Sequence, residues 1–194
     1  MNSLTIAQRL IVVCWLIFLL YWFVSAGTVK PIQRTSGWLW GNWYQILLFL
    51  GWLLIFDPFG LARVNPIAFS VISPTLTGNL VSVILVIGGL IVALIARRTL
   101  AGNWSRAVAI KEGHELITTG LYRHIRNPIY SGILLMTLGT TLSFGSLSAC
   151  IGFLVVTMAI YLKLRGEEHI LSVHFGSVYL SYKKRSKMLI PFVW

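Results

Sequence analysis

Five runs of apolar residues, each near the length of a bilayer crossing, constrain this chain more than any other feature. They extend from about Leu10 to Ala26, Trp38 to Phe56, Leu80 to Ala96, Pro128 to Phe144 and Leu147 to Leu164. A helix rises about 1.5 Å per residue, so roughly 20 apolar residues span a hydrocarbon core of about 30 Å. The hydrophobic fraction of 57% and mean hydropathy of +0.81 exceed what a soluble domain of 194 residues needs. The expected fold is an all-α integral membrane protein with five transmembrane helices. Trp and Tyr residues near the ends of the runs fit interfacial belts.

One membrane domain accounts for residues 1–194. Residues 1–96 supply three spans and their loops, and 97–194 a polar loop, a helical hairpin and a C-terminal helix. Asp57–Thr77, with Pro58, Pro66 and Pro74, reads as a loop at the interface or against the bundle. The turn Ser143-Phe144-Gly145-Ser146 is short, so spans four and five are expected to form a tight antiparallel hairpin. Gly132, Gly139, Thr140, Ser148 and Gly152 would let its two backbones approach closely. From Gly166 onward, Leu171, Phe175, Val178 and Tyr182 recur at helical spacing, which predicts a C-terminal amphipathic helix packed on the bundle.

Charge sets the orientation. Five spans place fourteen of the sixteen Lys and Arg on one side and leave only Arg9 and Arg63 on the other. That partition puts the C-terminus and the polar loops in the cytoplasm and the N-terminus outside. The net charge of +11 flanks the spans and forms no basic-aromatic module, which argues against nucleic acid. Anionic headgroups and an acidic substrate are the expected partners. The N-terminus shows no cleaved-leader pattern. Cys14 and Cys150 lie inside apolar runs and read as small packing residues. His114, His124, His169 and His174 lack a compact ligand spacing, so no metal site is expected.

Two polar clusters fall on the same expected side. The loop Gly113–Gly132 carries His, Arg, Asn and Tyr with three Gly and one Pro, a bent backbone dense in hydrogen-bonding groups. The second, Lys163-Leu-Arg165-Gly-Glu167-Glu168, stands at the mouth of span five. Taken alone, Lys163 and Arg165 can be membrane anchors, and Glu167 and Glu168 can be acids favoured near a helix N-terminus. Two acids and two bases beside the loop point instead to a site.

The run Gly113-His114-Glu115-Leu116-Ile117-Thr118-Thr119-Gly120-Leu121-Tyr122, followed by Arg126-Asn127-Pro128-Ile129-Tyr130-Ser131-Gly132, resembles the signature of the isoprenylcysteine carboxyl methyltransferase family. Glu167-Glu168, Phe175-Gly176, Tyr179, Tyr182 and Ile190-Pro191-Phe192 follow in the family's order, so the resemblance covers about Ala101 to the end. Asn127 stands where the family usually has His, Leu121 where it has Pro, and Lys163 where an Arg is usual. The size and five-span layout resemble a minimal prokaryotic or archaeal member.

The resemblance implies S-adenosylmethionine as methyl donor, S-adenosylhomocysteine as product, and a prenylated C-terminal cysteine carboxylate or similar lipophilic acceptor. It implies cofactor contacts from His114, Glu115, Leu116, Ile117, Tyr122, Asn127, Pro128, Ile129, Tyr130 and Glu167. Arg165 or Lys163 would hold the acceptor carboxylate. Lipid-amine methyltransferases and NADPH-dependent sterol-type reductases share parts of the C-terminal pattern, and a non-enzymatic membrane scaffold is a third alternative.

Overall fold

Thr5 caps the first helix, α1 (Ile6–Ser25). Its hydroxyl accepts from the Gln8 backbone N–H at 3.2 Å, and the Gln8 side chain accepts from the Thr5 N–H at 3.0 Å. The reciprocal pair satisfies two donors that a helix start leaves open. The computed structural model describes residues 4–28, 32–35, 38–57, 69–73, 75–104, 109–111 and 115–190. After α1 come β1 (Ile32–Thr35), α2 (Trp38–Phe56), α3 (Leu76–Leu100) and β2 (Ala109–Lys111). The chain then forms α4 (Pro128–Phe144), α5 (Leu147–Phe175) and α6 (Ser177–Arg185). The helical class agrees with the sequence. A small antiparallel ribbon is an addition to the all-α expectation, with Ile32 opposite Lys111 and Thr35 opposite Ala109.

Among the described residues, α1, α3 and α5 are long and apolar enough to cross a membrane. Trp43–Phe56 and α4 are shorter apolar helices packed beside them. Leu16, Leu20, Phe23, Ile84, Ile91 and Leu154 expose their side chains. Helices apolar on both their packed and their exposed faces belong in lipid, and the molecule is membrane-embedded.

The close helix contacts differ from the expected hairpin. Gly145 and Ser146 do join α4 to α5. Yet α4 packs along α3, and α5 along α2. A methyl added at Gly132 would lie 2.5 Å from the Gly89 carbonyl oxygen, and one at Gly139 would lie 2.5 Å from that of Ser82. A methyl at Gly152 would lie 2.6 Å from the Gly51 carbonyl oxygen. The physical reason is that glycine lets backbones approach, and the earlier helices meet these glycines with the small residues Gly89, Ser82 and Gly51. Thr140 likewise turns to α1, where its hydroxyl accepts from the Trp15 indole N–H at 3.1 Å.

The described part of the 57–77 connection packs on the α4–α5 turn. The backbone N–H groups of Val71 and Ile72 donate to the Gly145 carbonyl at 2.8 and 3.0 Å. Residues 58–68 and 74 lie outside the described residues, and the connection ends at Thr75, which caps α3. Arg97, which the sequence places among flanking charges, is buried instead. Its Nη1 donates to the Ala101 carbonyl at 2.7 Å and its Nη2 to that of Ser25 at 2.9 Å, while the guanidinium lies 4.9 Å from the Trp104 ring centre. It ties the end of α1 to the end of α3.

The last span also runs further than the apolar pattern predicts. α5 continues past Leu164 and through Gly166 to Phe175, 29 residues in all. An internal glycine costs about 1 kcal/mol relative to alanine, too little to end a helix held by tertiary contacts. The break comes at Gly176, where φ is +55°, a conformation that favours glycine. The expected single tail helix is therefore two pieces. Leu171 and Phe175 belong to α5, and Val178 and Tyr182 to α6.

Candidate active site

The loop ahead of α4 is fastened to the C-terminal segment like a short zipper. The Arg126 N–H donates to the Lys187 carbonyl at 2.7 Å, and the Lys187 N–H to that of His124 at 2.9 Å. The Asn127 backbone N–H and side-chain amide both donate to the Met188 carbonyl at 3.2 Å. The Ser131 hydroxyl donates to the Leu189 carbonyl at 2.5 Å. Pro128 sits at the start of α4, where its missing N–H costs nothing. Arg126 Nε then reaches Glu168 at 2.7 Å, and Lys183 Nζ on α6 lies 2.8 Å from the other oxygen of Glu168. One buried carboxylate thus joins the loop, α5 and α6.

On another face of α5, Lys163 is buried and ion-paired with Glu167 one turn later. Its Nζ lies 4.8 Å from the Tyr130 ring centre and 5.6 Å from that of Tyr44. An ammonium over aromatic faces is favoured, more so where water is excluded. Arg165 is exposed and lies roughly 200° around the helix from Lys163. The structure therefore separates the two candidate cations: Lys163 accompanies Glu167, and Arg165 lines a different groove with Arg126 and Glu168.

Tyr122 is buried in a 3-10 turn, Gly120–Arg123. Its hydroxyl donates to the Ala96 carbonyl at 3.4 Å, and its own carbonyl accepts from the Tyr182 hydroxyl at 2.6 Å. Burial pushes the Tyr122 phenol well above the ordinary tyrosine value, and the neighbouring Tyr182 and the charge of Glu167 push it further. Burial also raises Tyr179, and lifts Tyr182 to about 12.

Of the other site candidates, Ile117 packs half-buried in the cluster of Tyr122, Ala96 and Ile129. Leu116 is half-buried and Glu115 exposed. Asn127, Pro128 and Ile129 are committed to packing and to the zipper. His114 lies outside the described residues.

Behind Tyr130 opens an apolar cavity of about 350 Å³. Trp15, Phe18 and Leu19 line it from α1, Leu48, Trp52 and Phe56 from α2, and Tyr130, Ile133 and Ile160 from the two later helices. Trp15 and Trp52 meet edge-on with ring centres 4.5 Å apart. The Tyr130 ring is thus shared: it walls the cavity and also receives the Lys163 ammonium. Reasoning from sequence missed Tyr44 and this aromatic lining, because residues on α1 and α2 carry no motif and look like any lipid-facing aromatic.

This is a membrane-embedded helical protein whose buried charged pair abuts an apolar chamber. Residues 78–178 match the phospholipid methyltransferase family, more than half of the chain, and the chain belongs to that family. The match runs from α3 into α6 and takes in Tyr122, Tyr130, Lys163 and Glu167, whereas the α1 and α2 walls of the cavity precede it. The chain is similar to protein-S-isoprenylcysteine O-methyltransferase B of Arabidopsis thaliana, 36% identical over 84 residues and covering 43% of each chain. Protein-S-isoprenylcysteine O-methyltransferase A of the same plant is 31% identical over 113 residues, 57% of each chain. The Homo sapiens protein-S-isoprenylcysteine O-methyltransferase is 29% identical over 98 residues, 49% of this chain and 34% of its own. The chain matches about half the length, or less, of these relatives.

Proposed function

We propose that the chain transfers a methyl group from S-adenosylmethionine to the carboxylate of a prenylated C-terminal cysteine or a similar lipophilic acid, leaving S-adenosylhomocysteine. The observation that carries this reading is the shared Tyr130 ring, with a lipophilic chamber on one side and a buried cation on the other. A prenyl chain gains about 0.8 kcal/mol per CH₂ buried, and a wholly apolar chamber is where that gain is made.

The methyl donor supplies an electrophilic methyl carried on a sulfonium. The residues present fit such a cationic group: Glu167 offers a partly exposed carboxylate, with the rings of Tyr122 and Tyr130 in the same neighbourhood. The acceptor carboxyl is ionised at neutral pH, its reference pKa being about 4, so the reaction moves no proton and needs no general base. Lys163 holds the acceptor carboxylate as a point charge, and in doing so releases Glu167 to bind the donor's ammonium or ribose hydroxyls. Tyr122 stays protonated at any physiological pH; its proton goes to the Ala96 carbonyl and its oxygen can accept a hydrogen bond. The work of the chain is alignment and exclusion of water, and alignment supplies several kcal/mol of barrier lowering.

Five crossings with the N-terminus outside and the site at the cytoplasmic face remain part of this proposal, as does a small prokaryotic origin. α4, at 17 residues, is short for a full crossing, and local thinning of the bilayer accommodates a short span.

The test is binding of S-adenosylhomocysteine to the purified protein, with NADPH alongside. Saturable binding of the nucleoside, weakened by Glu167→Ala, is expected. Binding of NADPH alone overturns the reading in favour of a reductase, and binding of neither favours a scaffold. A lipid-amine acceptor is the second reading, carried by the family match. The Lys163 ammonium opposes it, since a cationic acceptor would meet a like charge there.

A further inference from the structure

A second groove, of about 320 Å³, lies between α5, α6 and the segment that follows α6. It is lined by Arg126, Arg165, Lys183, Lys184 and Lys187, with Glu168 as its carboxylate. Glu168 is already shared by Arg126 at 2.7 Å and Lys183 at 2.8 Å. Arg165, Lys184 and Lys187 are exposed and have no carboxylate partner among the described residues. Three cations, one from α5 and two from the end of α6 and the segment just after it, thus line one space with no carboxylate of their own.

Exposed apolar side chains stand on the same stretches of chain as these cations. Leu180 lies one turn before Lys184 on α6 and is 53% exposed. Val173 lies two turns after Arg165 on α5 and is 69% exposed, and Ile190, just past Lys187, is 51% exposed. Uncovered apolar side chains alternating with cations are the composition of a surface seated among headgroups, with the apolar groups in the acyl boundary and the ammonium groups above them. We propose that this groove binds the phosphodiester of an anionic membrane lipid, with Arg165, Lys184 and Lys187 on the phosphate oxygens and the acyl chains running past Leu180 and Ile190. Arg165 contributes a planar fork suited to two phosphate oxygens, and the two lysines contribute point charges. The groove is separate from the Lys163–Glu167 site, and its occupation does not depend on methyl transfer.

The experiment uses the full chain purified in an uncharged detergent. Native mass spectrometry follows retention of phosphatidylglycerol against phosphatidylcholine at equal concentration. A single bound phosphatidylglycerol is expected. Combined Arg165→Ala, Lys184→Ala and Lys187→Ala should weaken it about a hundredfold, at about fivefold per surface cation. Combined Arg9→Ala, Arg98→Ala and Arg123→Ala removes the same total charge elsewhere and should leave retention unchanged. Should the groove variant fail to fold, Lys184→Gln alone should weaken retention about fivefold. Three results would overturn the proposal: equal retention of the two lipids by the wild-type chain, equal weakening by the two triple variants, or displacement of the lipid by inorganic phosphate at equal concentration, which would make the ligand a free anion.

Discussion

The buried Lys163 pairs with the partly exposed Glu167 on one turn of α5, and its ammonium lies 4.8 Å from the centre of the Tyr130 ring. The pair is the joint between the charged and apolar halves of the candidate site. Removing Glu167 leaves the buried ammonium uncompensated, at a cost below the ~3–5 kcal/mol of a fully buried pair because the carboxylate side is partly hydrated. Glu167→Gln should therefore lower the melting temperature in detergent and abolish S-adenosylhomocysteine binding. Lys163→Met removes the cation and keeps much of its apolar stem. It should retain nucleoside binding while raising the acceptor KM at least about tenfold, one factor of ten for each 1.4 kcal/mol. Nucleoside titration and acceptor kinetics on the same preparations separate the two effects.

Leu48 lines the apolar chamber from α2. Leu48→Trp should narrow it. The expected result is a higher KM for a farnesylated acceptor, with nucleoside affinity within about twofold of wild type, since uniform loss of substrate binding moves KM alone. Equal loss of both would place the chamber outside the acceptor's path.

Gly132 and Gly89 meet backbone to backbone, each leaving only 2.5 Å for a methyl on the other. Gly132→Ala should cost about 1–3 kcal/mol through forced separation of α3 and α4. Gly88→Ala, one residue along and with nothing within 4 Å, should not destabilise the protein. Thermal unfolding of the two variants side by side checks the crossing.

Tyr182 ties α6 to the Tyr122 loop through a 2.6 Å hydrogen bond, and burial lifts its phenol from about 10 to about 12. A raised pKa in an acid means that the folded state favours the protonated form. The stabilisation is complete below the unfolded value near 10 and is lost as pH climbs through about 12. Melting temperature should hold through pH 9 and fall above 10. Tyr182→Phe should lower stability at neutral pH by about 1 kcal/mol, one hydrogen bond, and reduce the alkaline decline.

Glu168 carries both Arg126 and Lys183, so Glu168→Gln should loosen α6. Faster tryptic cleavage around Lys183, Lys184 and Arg185 is expected, read by peptide mapping under native conditions.

Much of the candidate site was legible in the residues. The loop before Pro128 and the pair at Glu167 carry motif spacing, and the structure sets Tyr130 beside Lys163 and Lys163 beside Glu167. The choice between Lys163 and Arg165 was not legible, because two residues along a chain say nothing of faces until the segment is known to be helical. The sequence pattern ended span five at Leu164, yet the helix runs on to Phe175 and sets the two cations on different faces.

The sequence by itself determined a helical membrane protein and its family, since apolar run length and motif spacing are properties read along the chain. Which helices touch was decided only in three dimensions. In lipid all apolar faces are alike, and contact goes where small residues let backbones approach: Gly132 against Gly89, Gly139 against Ser82, and Gly152 against Gly51. That choice turned α4 and α5 toward earlier helices and opened between them the aromatic chamber whose wall Tyr130 shares with Lys163.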